Sequence, residues 1–225
     1  MKNILKKSDL SISSELGIYS NLYKDIYFDK KHGIKETEHN FIKANNLASR
    51  FKKSDKFIIS ELGFGTGLSF LMTLKLWKET KKPNAKLIYI SFESAPLTKI
   101  ELNNVYKKVS GVKILFNQLI KKLPILYQST HRIFFDSENV ELILIYDDFN
   151  SLKNFKFKAD AWFLDGFAPK KNKSAWNSKL FEQIYLSTKF KGTFSTFTSA
   201  GHVRRGLSNS GFSVSKVAGF GNKKE

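Results

Sequence analysis

The chain has 225 residues, 41% of them hydrophobic, no cysteine, and 38 basic residues against 20 acidic ones, for a net charge of +18. Without thiols, disulfides, thiolate metal sites, iron–sulfur clusters and cysteine nucleophiles are all excluded. No apolar run approaches the roughly 18–20 residues that span a bilayer, and the lysine-bearing start lacks the apolar stretch and cleavage site of a signal peptide. A cytoplasmic globular protein with no membrane association is therefore expected. The charge points to a polyanionic partner, nucleic acid above all, although the lysine-rich composition of an AT-biased genome would produce a similar balance. Arginine occurs only as Arg50, Arg132, Arg204 and Arg205. An adjacent pair in a chain that otherwise uses lysine suggests that guanidinium forks were needed there.

In chain order, residues 1–18 are polar and weakly patterned and read as an extension. Residues 19–34 alternate Tyr, Ile and Phe with polar residues up to a His-Gly turn, which predicts a hairpin. Glu36–Phe51 puts Phe41, Ala44, Ala48 and Phe51 on one helical face. A strand at 57–61 leads into a helix over 68–78 with Leu68, Leu71 and Leu74 inward, and a strand at 87–92 into a helix over 98–107. The stretch 113–129 is helical with an interruption at Pro124. Runs at 131–136 and 140–146 flank a polar turn as paired strands. Then come a strand at 160–164, a loop over 165–174, and a helix over 176–189 with Trp176, Leu180, Phe181 and Ile184 facing the core. A strand at 193–198, a helix near 201–209 and a last strand at 211–217 complete the series. An antiparallel pairing of 211–217 beside 193–198 would fit, but the sequence does not fix that order. Such alternation predicts an α/β fold with a mostly parallel sheet covered on both faces. The expected division is an N-terminal extension (hairpin and helix) over 1–55, packed on one unit over 56–225.

The most informative stretch is FIISELGFGTG at 57–67. An apolar strand ends in Glu61 and turns through Gly63, Gly65 and Gly67 into a helix, and the next strand, LIYISFE, closes on Glu93. A glycine-rich turn after one strand with an acid at the end of the next is how doubly wound sheets hold a nucleoside. The spacing is G-x-G-x-G rather than the G-x-G-x-x-G of dinucleotide enzymes. With the acid two residues before the first glycine, it points to S-adenosylmethionine and a methyltransferase. Since there is no cysteine to activate a pyrimidine, the methyl acceptor must be nucleophilic in its own right, an amine or an oxygen.

Three stretches carry a closer resemblance: ELGFGTGLSFL at 61–71, DAWFLDGFAPKKNKSAW at 160–176 and TFTSAGHVRRGLSNSGF at 196–212. Together with YKDIYFDKKHGIKETEHNF at 23–41, ISFESAPLT at 90–98 and GFGNKK at 219–224, they resemble the methyltransferase domain of the bifunctional tRNA wobble-uridine enzymes called MnmC. The stand-alone MnmD form is closer still. The resemblance runs over about 200 residues and implies a Rossmann-like S-adenosylmethionine-dependent methyltransferase fold. It also implies methylation of the primary amine of 5-aminomethyl-2-thiouridine in tRNA. The oxidase activity and FAD of the fused relatives are expected to be absent, because the sequence stops after GFGNKKE. Asn222 stands where the family has a cation.

On this reading Gly63, Gly65 and Gly67 carry the methionine end of the cofactor, with Glu61 near its amino group, and Glu93 accepts from the ribose hydroxyls. Asp148, of the Asp147–Asp148 pair, is the candidate for the adenine amino group, a surface loop being the alternative. Asp165 is the candidate catalytic residue, although an aspartate at that place is often a turn or cap residue. A primary amine resembles lysine, with a pKa near 10.4, so at neutral pH about 4 kcal/mol separates it from its nucleophilic form. Asp165 would accept its proton or orient its N–H. Because a carboxylate also stabilises ammonium, orientation weighs above base catalysis. Phe167 and Pro169 would wall the uridine slot with Trp176 at its edge, core packing being the rival role for both rings. Lys170, Lys171, Lys173, Arg204 and Arg205 would grip phosphates, a solvated surface or an internal salt bridge being their alternatives. Tyr27 and Phe28 read as packing residues that border the site at most. Four scattered histidines lack metal-ligand spacing, so no metal is expected, and a monomer fits. A methyltransferase of another amine and a noncatalytic tRNA-binding partner remain open alternatives.

Overall fold

The computed structural model describes residues 5–13, 17–28, 31–107, 109, 111–172 and 175–221; Lys173 and Asn222 lie outside them. Its centre is a six-stranded sheet of order β6-β7-β5-β4-β8-β9. The strands are β4 (Lys56–Leu62), β5 (Lys86–Phe92), β6 (Thr130–Phe135), β7 (Val140–Ile145), β8 (Ala159–Leu164) and β9 (Thr188–Thr196). All neighbours run parallel except β6, which pairs antiparallel with β7. Alternation along the strands sends Ile59, Leu87, Tyr89, Leu142 and Phe163 into one core and Leu62, Ile90, Phe92, Trp162 and Leu164 into the other. The first core is covered by α3 (Leu68–Thr80), α4 (Lys99–Tyr106) and α5 (Lys113–Lys122); the second by α6 (Ser178–Leu186) and α7 (Gly201–Asn209). Thr98 and Glu101 form a reciprocal capping box at the start of α4. The helix before Pro124 ends at Lys122, as a ring without an N–H requires.

The N-terminal region is a second, antiparallel sheet of three short strands: β1 (Leu10–Ser13), β2 (Gly17–Ser20) and β3 (Asp25–Phe28). The expected hairpin is thus β2–β3, but its turn falls at 21–24, where Lys24 takes φ 52°. The His-Gly pair instead opens α1 (Gly33–Thr37), and β1 lies in what read as a featureless extension. Ile18 and Phe28 of this sheet are buried in the same core as α3.

Two further expectations need correction. The helix over 36–51 is not continuous: α1 passes into a wider π-turn over Glu38–Lys43, and α2 (Leu47–Phe51) restarts after Asn46 in the left-handed region at φ 49°. Buried Asn45 accounts for the break. Its amide takes the Phe41 carbonyl at 3.0 Å and the Ser195 hydroxyl at 2.7 Å, so a side chain competes with the helix backbone. The last strand, 211–217, does not form. α7 closes in a Schellman motif with Gly211 at φ 109°, the Phe212 N–H on the Leu207 carbonyl and the Gly211 N–H on that of Ser208. Phe212 then packs on Tyr185 and Phe194. A groove of about 360 Å³ lies between β9 and residues 212–220, which are not laddered to it. The antiparallel strand of the sheet is therefore β6, at the opposite edge.

Candidate active site

Strand register alone assembles the site. Glu61 on β4 pairs with Ser91 on β5 and with Phe163 on β8. Two residues on, at the carboxyl edge of the sheet, Gly63, Glu93 and Asp165 fall in one row on one face. In the strand order, β5 and β7 lie to one side of β4 and β8 and β9 to the other, so this edge is the topological switch point where α/β sheets bind ligands.

The turn after β4 is closed by the Gly67 N–H on the Phe64 carbonyl at 2.8 Å and enters α3 through left-handed Gly67. Gly65 takes φ 51°, in the left-handed region that favours glycine, and a Cβ there would press on the Tyr27 ring at 3.2 Å. Its N–H donates to Glu93 Oε2 at 2.9 Å, and the Ala95 N–H donates to Oε1 at 2.8 Å. Glu93 is 8% exposed. Burial raises its carboxyl above the usual range against the pull of these backbone donors. Each carboxylate oxygen has capacity for about two donors, so Glu93 braces the turn and still has room for hydroxyls.

Glu61 lies one layer down. It is 1% exposed and is absent from the cleft lining; its Oε2 accepts from Ser91 at 2.7 Å. Burial, then the nearby Asp165 charge, push it well above the ordinary carboxylate range. It lies beneath the floor of the cleft in this structure.

Across the cleft, Asp165 follows β8. Its Oδ1 accepts from the Gly166 N–H at 2.8 Å. Burial first, then the charges of Glu36 and Glu93, push its carboxyl up to about 7. Phe167 lines the cleft, but its ring is already engaged. It stacks on Tyr23 at 4.3 Å between centroids and meets the Tyr27 edge at 5.1 Å. Trp176 is buried, donates to the Phe167 carbonyl at 3.0 Å and packs on Phe197, so its place is in the packing beneath the loop. Pro169 is buried, while Lys170 and Lys171 are exposed. The cleft is about 60 Å³ and is bounded also by Tyr27, Phe28, Thr37, Thr66 and Ser69. It is narrow because Tyr27 lies against the glycine turn. The cleft is thus smaller than the ~300 Å³ or more usual for a small-molecule pocket.

Asp148 is not brought into this cleft. It sits beyond β7 as the cap of a tight turn over Phe149–Asn154, with Oδ1 accepting from Asn150. Arg204 and Arg205 lie on α7, which starts beyond the carboxyl end of β9. Arg204 donates to the Ser199 carbonyl at 3.1 Å, and among the described residues neither arginine pairs with a carboxylate. The other two arginines are structural: Arg50 binds Thr193 and the Asp160 carbonyl, and Arg132 binds Glu141 at 2.6 Å. Of the N-terminal sheet region, sequence reasoning set Tyr27 and Phe28 at the border of the site at most and missed Tyr23 and Asp25. A signal for these was that 23–41 is part of the resemblance. Among the described residues no three His, Asp or Glu side chains gather to hold a metal, and no helix is long and apolar enough to cross a membrane.

A parallel sheet with a glycine turn and a row of acids at its switch point defines a nucleoside-binding α/β protein of the methyltransferase type. The family described as S-adenosyl-L-methionine-dependent methyltransferase matches residues 110–225, and the chain belongs to it. Its relatives include the tRNA 5-methylaminomethyl-2-thiouridine biosynthesis bifunctional protein MnmC of Marinomonas sp. (strain MWYL1), 41% identical over 227 residues, 98% of this chain and 33% of the relative. The protein of the same name from Hahella chejuensis (strain KCTC 2396) is 40% identical over 225 residues, 98% of this chain and 36% of its own. The chain thus spans about a third of the length of these curated relatives. Among solved structures, MNMC2 from Aquifex aeolicus superposes with a TM-score of 0.74 at 23% identity, covering 92% of this chain and 65% of that one. That likeness bears on the fold.

Proposed function

We propose that the protein transfers a methyl group from S-adenosylmethionine to the primary amine of 5-aminomethyl-2-thiouridine at the wobble position of tRNA, in the cytoplasm. The observation that carries this reading is the row Gly63–Glu93–Asp165, which puts two carboxylates on opposite sides of one cleft beside the glycine turn. The names of the relatives and the net charge of +18 support tRNA as the substrate.

The lining fits the cofactor. The half-buried backbone of Gly63 and Gly65 lines the cleft and suits its amino-acid portion, and the residual capacity of Glu93 suits its ribose. Asp148, next along the carboxyl edge, is the proposed adenine contact. When bound, S-adenosylmethionine supplies an electrophilic methyl group. The chain's own residues do the rest. Asp165 accepts a hydrogen bond from the attacking amine through the oxygen not held by Gly166, fixing the direction of the lone pair. Its carboxyl, near 7, is about three units less basic than an alkylamine near 10.4, so orientation outweighs uptake of the proton that leaves as the amine is alkylated. Tyr27, Phe167 and Pro169 shut water from the slot, and Lys170, Lys171, Arg204 and Arg205 meet phosphates. Residues 1–55 are read as an extension sharing its core with a methyltransferase unit over 56–225, and the active form as a monomer.

Nucleoside mass analysis of tRNA from a deletion strain tests this reading. It should show accumulated 5-aminomethyl-2-thiouridine, and purified protein with labelled S-adenosylmethionine should methylate that tRNA. An unchanged nucleoside pool together with no transfer would refute it. Changing Arg204 and Arg205 together to alanine should weaken tRNA binding and flatten its salt dependence. Loss of two phosphate contacts lowers the slope of log K against log salt by roughly 1.4–1.8. An unaltered slope removes the pair from the interface.

A further inference from the structure

We infer that Asp25, on the N-terminal sheet, is a positioning residue for the methyl-acceptor loop that carries Asp165 and Phe167. Asp25 opens β3, and its carboxylate is divided between two backbone donors. Oδ1 accepts from the Ile26 N–H at 3.0 Å, while Oδ2 accepts from the Ala168 N–H at 2.8 Å, across 143 residues of sequence. Ala168 lies three residues beyond Asp165, so this bond pins the far end of the loop whose near end is fixed by strand β8.

The rings act with it. Tyr23 stacks on Phe167 with 19° between planes, and Tyr27 abuts it edge-on. Beneath, Trp176 holds the Phe167 carbonyl at 3.0 Å. The N-terminal segment is tied independently to the cofactor side, through the Lys6 N–H on the Ser94 carbonyl at 3.0 Å and the Ser8 hydroxyl on Glu101 at 2.9 Å. The N-terminal segment therefore reaches both sides of the cleft, and Asp25 supplies a hydrogen bond to the acceptor side. A loop freed at Ala168 shifts the Asp165 carboxylate, and displacements of about 1 Å at a reacting centre cost on the order of 100-fold in rate. Glu93 and the glycine turn are braced without Asp25, so cofactor affinity should not follow.

This inference rests on the proposed reaction. Its test uses the full chain, with kcat, KM for tRNA, calorimetric Kd for S-adenosylmethionine and Tm measured on each variant. Asp25→Ala should lower kcat by about 10- to 100-fold with cofactor Kd within twofold. Asp25→Asn keeps an acceptor oxygen for the Ala168 N–H and should recover most of the rate. A kcat within twofold of wild type in Asp25→Ala overturns the assignment. So does an Asn variant as slow as the Ala variant, or a cofactor affinity that falls in step with kcat. Should Asp25→Ala fail to fold, Asp25→Glu, which displaces the carboxylate by one methylene, must show the same split; a wild-type kcat in that variant overturns the role equally. Wild-type protein inactive on tRNA would instead strike the proposed function itself, which separates the two failures.

Discussion

Replacing Glu93 with alanine should weaken S-adenosylmethionine binding by a factor of 100 or more and leave tRNA affinity within about twofold. In the proposed seat the carboxylate accepts two ribose hydroxyls while holding the N–H groups of Gly65 and Ala95 at 2.9 and 2.8 Å. Hydrogen bonds to a charged acceptor contribute about 1.5–3 kcal/mol each, so losing two ligand bonds costs roughly 3–6 kcal/mol, or two to four decades at 1.4 kcal/mol per decade. The variant also strands the N–H groups of half-buried Gly65 and buried Ala95 and lets the turn relax, which adds to the loss. Glu93→Gln keeps one acceptor oxygen and should fall between. Calorimetric titration with the cofactor, beside filter binding of tRNA, checks both. Equal losses of the two affinities would mean that Glu93 supports the fold and not the seat.

The carboxyl edge was legible in the sequence because apolar strands leave little freedom. A buried parallel strand that slips by one residue turns every side chain to the wrong face, so acids two residues past the paired core positions must come into line. The same period sets Glu61 below that row. It shares a face with Gly63 but sits one level lower, where the Ser91 hydroxyl and not solvent meets it. What stayed hidden depends on single long-range polar contacts. The break at Asn45 needs Ser195, 150 residues away, and the anchoring of Ala168 needs Asp25, 143 residues away. Four-residue strands such as β1 are too short to show alternation against a polar background. Residues 211–217 alternate like a strand, yet Gly211 ends α7 in a Schellman motif and the residues after it form no ladder with β9. Phe167 was legible as an aromatic at the site, but the Tyr23 partner that fixes its ring was not.

Asp165→Asn should reduce kcat by 100-fold or more with cofactor Kd changed by less than about threefold, because general-base assistance and alignment are each worth factors of that order. Two pH signatures separate a chemical role from a structural one. In the wild type, kcat/KM should rise with pH through about 7 as Asp165 ionises, and in the Asn variant that inflection should vanish, leaving only the titration of the substrate amine. An inflection that persists means another group titrates. Stability supplies the second signature, with the sign set by a folded-state value of about 7 raised by burial over an ordinary 3.8. Below 3.8 both folded and unfolded chains hold the proton. Between 3.8 and 7 only the folded chain holds it, so stability falls as pH rises, and the loss is complete above 7. An amide carries no such cost. From pH 5 to pH 8 the Asn variant should therefore gain on the wild type by about 2–3 kcal/mol, two pH units at about 1.4 kcal/mol each. Urea unfolding of the cofactor-free proteins at the two pH values measures it. A stability difference that stays constant between them would mean that burial does not hold the proton on Asp165, and would leave the carboxylate as a hydrogen-bond acceptor that orients the amine without taking up its proton.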